Sequence, residues 1–596
     1  MGSLFAELKR RNVIRAGVLY IGTVWALAQG ISQLGPSIGA PGWATRWFLV
    51  SAAIGLPFFL AFAWFFEFTP EGLKLESEID PADSITQHTS KKLDRWIIAV
   101  LALAVVLLLT DHFVSRREVD KTVPTPAVPS VVATDDKSIA VLPFVNMSGD
   151  AANEYFSDGI TEEILNALAQ IPDLKVAART SAFAFKGKEP DLRKVGEVLD
   201  VATVLEGSVQ RAGDAVRITA QLIDTRSGYH LWSEKYDRTL TNVFAIEDEI
   251  SKAIADKLKV QLGSAHADAG TTANPQAHEL YLRGLSLLAA RGLGLRDAAV
   301  AFGKAVELDP RYAQAWGALA ETEQLLPVYT GGDLDVGMAR AESAAQRALS
   351  VDPDTASALV AIANVHAHRI EWAQAEKAFR RALILAPGDA EAVDQYAQFL
   401  AATGQLEPAL LQIDRARQLD PLSAILGVVR STILMALHRD ADATAQLDPV
   451  LAAHPDFYPA CMTSVFLSIG LERYADAEQQ LRVVARHLGV DAEAKVVLVR
   501  GIADPGARAT ALSSLDKAPA NADIRGDSLL HAAFLTLLGD HDRALARLAV
   551  YAARQDAAAG VFLWTRTFDP LRSDPRYKAV LQKMNLPYRS PTRSAP

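Results

Sequence analysis

ASALVAIANVHAHRIEWAQAEKAFRRALILAPGDAEAVDQYAQFLAATGQLEPALLQIDRARQLDP, residues 356–421, writes one pattern twice. In 356–387 the apolar Leu359 and Ile362 precede a small Ala363; Ala375, Phe379 and Ala382 follow, and Leu385-Ala386-Pro387 closes the unit. In 390–421 the equivalents are Val393, Tyr396, Ala397, Ala409, Ile413, Ala416 and Leu419-Asp420-Pro421. Pro353, Pro387, Pro421 and Pro455 stand 34 residues apart, and 279–310 carries the same frame in Leu282, Leu285, Ser286, Ala298, Phe302, Ala305 and Pro310. Small residues belong where two helices cross closely. A proline ends the second helix because it has no N–H to donate inside one. The spacing predicts a stack of about seven or eight helix pairs over 275–588, reached through a linker at 264–274.

In period and residue type these units resemble tetratricopeptide repeats, which implies an all-α superhelix that binds other chains. By the geometry of that family, the second, fifth and ninth positions of each first helix face the concave side. They include Arg283, Gln314, Glu321, Asn364, Glu391, Asp394 and Gln398, a mixed polar set suited to gripping a peptide or simply to meeting water. Pro310 and Pro353 lie 43 apart, so the second unit is nine residues longer than the period, and PVYTGGDLDVG (327–337) is expected to protrude as a loop. After Pro455 the period decays, and FDPLRSDPRYKAVLQKM (568–584) is expected to cap the stack with its charges in water.

The chain has 596 residues, half of them hydrophobic, and a net charge of −10, so it carries no basic field for nucleic acid. A single cysteine, Cys461, excludes an internal disulfide and a cysteine-rich zinc site, and reads as a buried structural thiol.

Three apolar runs occupy the first 117 residues: 16–34, 47–66 and 96–114. The second is long enough to cross a bilayer core of roughly 30 Å, with Trp43, Trp47 and Trp64 near its ends. The third is bounded by Arg95 and by Arg116-Arg117. Gln29, Ser32, Gln33 and glycines dilute the first, which is read as a span, the other reading being a helix along the surface. Lys9, Arg10, Arg11, Arg15, Lys74, Lys91, Lys92 and Arg95 outweigh Arg46, Arg116, Arg117 and Lys121, placing the N-terminus and 67–95 inside. Three crossings then put the C-terminal region outside the cytoplasm; if the first run does not cross, the parity flips and that region is cytoplasmic. Residues 118–137, with Pro124, Pro126 and Pro129, read as a stiff spacer.

From Ser138 a compact α/β domain is predicted over 138–263, in the order β-α-β-α-β-β-β-α. Here SIAVLPFVNMSGD (138–150), YFSDGITEEILNAL (155–168), LEGSVQRAGDAVRITAQLIDTRSGYHLWSEKYDR (205–238) and FAIEDEI (244–250) resemble the TolB amino-terminal-like, or FlgO-like, domain of bacterial envelope proteins. FAELKRRNV (5–13) and FEFTPEGLK (66–74) resemble the membrane leader of proteins that join this domain to tetratricopeptide repeats. Relatives often place a class III nucleotide cyclase or a winged-helix domain ahead of the membrane helix; residues 67–95 are too short for either. The resemblance implies envelope association and assembly or sensing.

No catalytic constellation stands out. The acidic Asp158, Glu162 and Glu163 read as helix-start residues, with Asp158 or Thr161 favouring initiation. Tyr229, Trp232 and Tyr236 read as sheet packing, the other reading being a stacking surface. His366 and His368 are two apart and point to different faces, so they do not form a metal clamp. The sequence thus predicts a multidomain α plus α/β inner-membrane protein without enzyme activity, cofactor, metal or nucleic-acid partner. It would hold envelope proteins or peptides near the membrane as a scaffold or assembly factor. The alternative is a membrane sensor relaying a periplasmic ligand to a cytoplasmic partner.

Overall fold

A computed structural model describes residues 137–188, 190–239, 243–258, 260, 270–330, 332–517, 529–553 and 560–587, together with 20, 24, 52, 55, 56 and a short hairpin. The hairpin pairs β1 (Phe66–Thr69) antiparallel with β2 (Gly72–Leu75). The three predicted spans and the proline-rich spacer lie outside the described residues, save isolated positions, and no described helix is long and apolar enough to cross a membrane. Val132–Pro596 forms one compact unit.

That unit opens on a mixed sheet. Strand β3 (Ser138–Val141) lies parallel to both β5 (Lys175–Val176) and β6 (Thr203–Ala212), and β4 (Val145–Asn146) extends the pairing along β6. Strands β7 (Ala215–Asp224) and β8 (His230–Thr239) continue antiparallel. The β6–β7 turn is two residues, Gly213-Asp214, and its first position has φ of 60°, which glycine adopts without steric cost. Strand β3 is buried on both sides: Ile139 and Val141 face one core, Ala140 and Leu142 the other. A continuous apolar run is what a doubly covered parallel strand requires.

Helix α1 (Glu154–Ala169) covers the first face. It starts four residues before Asp158, with Asn153 as its N-cap, so neither Asp158 nor Thr161 initiates it. Thr161 instead accepts the Phe144 N–H at 3.0 Å, and Asp158 holds Lys186 at 2.6 Å. Helices α2 (Arg179–Phe183) and α3 (Leu192–Leu199) come next, with α3 packed over the opposite face; α4 (Val243–Leu258) follows the last strand.

Eight helix pairs follow among the described residues: α5 (Pro275–Ala290) and α6 (Gly294–Leu308), α7 (Ala313–Thr330) and α8 (Leu334–Val351), α9 (Ala356–His368) and α10 (Trp372–Leu385), α11 (Ala390–Ala402) and α12 (Leu406–Leu419). Then come α13 (Ala424–Ala436) and α14 (Asp440–Ala453), α15 (Tyr458–Gly470) and α16 (Tyr474–Leu488), α17 (Ala492–Ala503) and α18 (Arg508–Asp516), α19 (Leu529–Leu537) and α20 (His541–Ala553). The repeat marks of the sequence are buried as expected: Ala363, Ala375, Phe379, Ala382, Ala397, Ala409, Ile413 and Ala416 are all fully enclosed. The period also appears in the backbone. Ile370, Gly404, His438 and Glu472 close four successive first helices with φ between 59° and 79°. Cys461 is buried, as its apolar setting implied.

Three further expectations are corrected. The extra nine residues do not protrude. Both helices of the second pair lengthen to 18 residues and absorb them, with Pro327 inside α7. Gly337 makes this possible, because a Cβ there would lie 2.4 Å from the Pro327 ring and 2.9 Å from the Glu323 carbonyl. The C-terminal segment keeps Arg576, Lys578 and Lys583 in water as expected, but it is more than a cap. Residues 560–571 fold back against the first helices α11, α13 and α15, with Trp564, Phe568 and Tyr577 fully buried. Arg572 is buried too, donating to the Trp564 carbonyl at 2.8 Å.

Finally, the Ala, Gly and Thr of the linker at 264–274 imply some freedom between the α/β domain and the solenoid, but the two are docked on each other. Phe156, Ile160, Ile164 and Leu168 share one core with Leu282, Leu285 and Phe302. At Gly159 a Cβ would stand 2.7 Å from that of Leu282, so α1 and α5 touch backbone to side chain.

Candidate functional site

Successive first helices touch one another, so they line the inner side of the superhelix. Two parts of the chain already cover stretches of that side. The α/β domain packs α1 on the first helix α5 and also meets the turns between helix pairs, where the Gly388 N–H reaches the Ala169 carbonyl at 3.0 Å and the Ala178 N–H reaches Leu419 O at 2.7 Å. The returning C-terminal segment covers another, where Trp564 Nε1 donates to Ala402 O at 3.1 Å and Trp372 Nε1 to Met584 O at 2.8 Å.

A polar lane joins α7, α9 and α11. Arg291, in the turn after α5, stands 3.7 Å from Glu321 and 3.6 Å from Glu391. Asn364 donates to Gln324 at 3.1 Å and also to Gln395, which in turn donates to Glu391 at 3.0 Å. One helical turn further, Gln398 donates to Asp394 at 2.9 Å. Burial pushes the Glu321 carboxyl up to about 7 against the pull of Arg291. It also holds the Asp394 carboxyl well above the ordinary range, with Glu391 adding to the effect. Glu162 of α1 is raised by burial as well, although Arg179 contacts it at 2.8 Å.

Four predicted residues therefore belong to or adjoin one network: Glu321, Asn364, Glu391 and, on the same helix, Gln398. Glu391 and Gln398 are exposed and reachable by a partner. Asp394 lies beneath them, 4% exposed, with Oδ1 making no hydrogen bond. Gln314 sits at the other end, its backbone N–H on the Gly270 carbonyl. Arg283 stands apart beside Tyr155 and Arg211. The repeat frame missed Arg291, Gln324 and Gln395. Gln395 was findable as the i+4 neighbour of Glu391. Arg291 lies in a turn outside the frame, and no spacing signals it.

The remaining aromatic and histidine candidates are dispersed. Tyr236 is buried, Trp232 half-buried and Tyr229 exposed. His366 bonds Glu371 at 2.5 Å and His368 bonds Asp335 at 2.7 Å. No group of three or more metal-ligating side chains gathers among the described residues. The arrangement offers paired charges and amides along an inner wall, the chemistry of recognition by hydrogen bonding.

No family model matches the chain. Over 201 residues it is 42% identical to a protein of Rhizobium meliloti (strain 1021) named "Putative adenylate cyclase 3", a match that covers 33% of each chain. The chain thus spans about a third of the length of that curated relative. Among solved structures it is similar to PilF of Pseudomonas aeruginosa, with 21% identity over 35% of this chain and 91% of the other, at a TM-score of 0.29. It is also similar to YrrB, described as a TPR protein with an unusual peptide-binding site, with 20% identity over 32% and 92% of the two chains and a TM-score of 0.24.

Proposed function

We propose that this protein is a noncatalytic scaffold or assembly factor of the bacterial envelope. In this reading residues 1–117 anchor it in the inner membrane, and residues 138–263 are a TolB amino-terminal-like domain in the periplasm. The repeats present partner proteins or peptides to the same surface. The observation that carries the reading is the lane from Arg291 through Glu321, Asn364 and Gln395 to Glu391. Its exposed end lies on α11 between the turn at Gly388, which meets the α/β domain, and Ala402, which Trp564 contacts, so a partner of extended chain has a bounded place to lie. Alternating cation, carboxylate and amide groups suit backbone and side-chain recognition of such a segment. Placement in a membrane would raise the effective concentration of partners that share it. The activity in the name of the Rhizobium protein is not carried over, since only a third of that chain is matched.

The test places a photo-crosslinking side chain at Gln398 in the full chain, expressed in bacterial membranes. Discrete crosslinked proteins are expected, and Glu391→Lys should remove them while the melting temperature holds. Crosslinks that are absent, or that Glu391→Lys leaves unchanged, would overturn the reading.

A further inference from the structure

A cavity of about 630 Å³ opens at the seam between the α/β domain and the first helix pair. Its wall is built from both sides: Ala152, Asn153 and Tyr155 at the start of α1, Arg211 and Gly213 at the β6–β7 turn, and Glu279 and Arg283 on α5. The volume is that of an ordinary small-molecule site.

The lining has more donors than acceptors. Glu279 is the one carboxylate in the wall, and it is already engaged. It accepts the Tyr155 hydroxyl at 2.5 Å and Arg211 Nη1 at 3.1 Å. Arg211 is held further by the Phe156 ring, 5.4 Å from its guanidinium carbon. The nearby acids are turned elsewhere: Glu154 pairs with Lys186 at 2.8 Å, and Asp150 accepts the Ala152 N–H at 2.9 Å. Arg283 is exposed and has no hydrogen bond or ion pair with any described residue. The Asn153 side chain makes no capping bond to α1. Two guanidinium groups and an amide thus border one cavity, with a single neutralising carboxylate among them.

We propose that this cavity binds a small multivalent anion, a carboxylate or phosphoryl compound, between Arg211 and Arg283. Arg211 belongs to the sheet and Arg283 to the solenoid, so the bound anion ties the two together. Arg211, pinned by Glu279 and Phe156, supplies the preorganised contact. Arg283, free to turn, closes on the ligand. Planar guanidinium forks match either oxyanion geometry.

The experiment uses the full chain in detergent and three probes at matched ionic strength: citrate, pyrophosphate and chloride. Citrate or pyrophosphate should raise the melting temperature in a saturable way that chloride does not, and whichever acts assigns the ligand to the carboxylate or the phosphoryl class. Arg283→Gln should weaken the apparent affinity roughly tenfold or more. Arg296→Gln, on the neighbouring helix and outside the cavity, should leave it unchanged. No shift beyond chloride would overturn the proposal, as would equal shifts in the wild type and Arg283→Gln.

Discussion

Ser181 Oγ donates a 2.5 Å hydrogen bond to Asp420 Oδ1 across 239 residues of sequence, and the same hydroxyl oxygen accepts the Leu422 N–H at 2.9 Å. Ser181 belongs to the α/β domain and Asp420 closes the fourth helix pair, so one buried hydroxyl satisfies the solenoid at two points. Burial raises the Asp420 carboxyl above its ordinary range, while the bonds from Ser181 and Thr180 hold it down.

Ser181→Ala removes that hydroxyl, taking one hydrogen bond from the buried Asp420 carboxyl and leaving the Leu422 N–H without its partner. The expected loss is about 1–3 kcal/mol in urea unfolding of the full chain. The variant should also be cut faster by protease at the seam between sheet and solenoid. Unchanged unfolding and cleavage would mean that the apolar core alone holds the docking.

Glu472 is exposed and has φ of 59°, a left-handed conformation that costs an ordinary residue energy and glycine little. Glu472→Gly is expected to stabilise the chain by up to about 1 kcal/mol, measured as a rise in melting temperature. The equivalent change at Ile370, which is 6% exposed, should not help, because it deletes buried apolar surface as well.

Stability should depend on pH through the polar lane. The Glu321 carboxyl is pushed from an ordinary 4.5 up to about 7, and that of Asp389, the N-cap of α11, from 3.8 to about 6, in both cases by burial first. A carboxyl with the higher pKa in the folded state binds its proton more tightly there. Its contribution is therefore complete below the unfolded value and is lost as pH rises through the folded one. Melting temperature should fall between about pH 4.5 and 7, and Glu321→Gln should flatten that slope. The Glu321 side chain keeps 23% of its surface in water, so screening confines its effect to the order of 1–2 kcal/mol. A slope equal in wild type and Glu321→Gln would remove Glu321 as its source.

Alkaline phosphatase and green fluorescent protein, fused in turn after Pro596, test the proposed orientation. Phosphatase activity without fluorescence is expected from three crossings. Fluorescence without phosphatase activity would mean that 16–34 does not cross, and the partner search would move to the cytoplasm.

The helix pairs were legible because the repeat leaves local marks. Ala363, Phe379 and Pro387 need only a 34-residue comparison to be recognised. The insertion before Pro353 was misread because Pro327 and the following glycines normally break a helix. Whether they do depends on a neighbour, and Gly337 supplies the space that keeps Pro327 helical. Of the lane, the first-helix positions Glu321, Asn364 and Glu391 followed from the frame. Arg291, which joins two of them, was hidden in a turn.

By itself the sequence determined the elements: the 34-residue period, the strand that is apolar on both faces, the hairpin turned at Gly213, and the burial of Cys461. These depend on residues within one or two units of each other, where periodicity reports directly on packing. Only the tertiary structure decided what covers the inner wall. Trp564 against Gly404 and Gly159 against Leu282 are contacts between segments more than a hundred residues apart. Their fit rests on shape at close range, and shape complementarity between distant surfaces leaves no period in the chain.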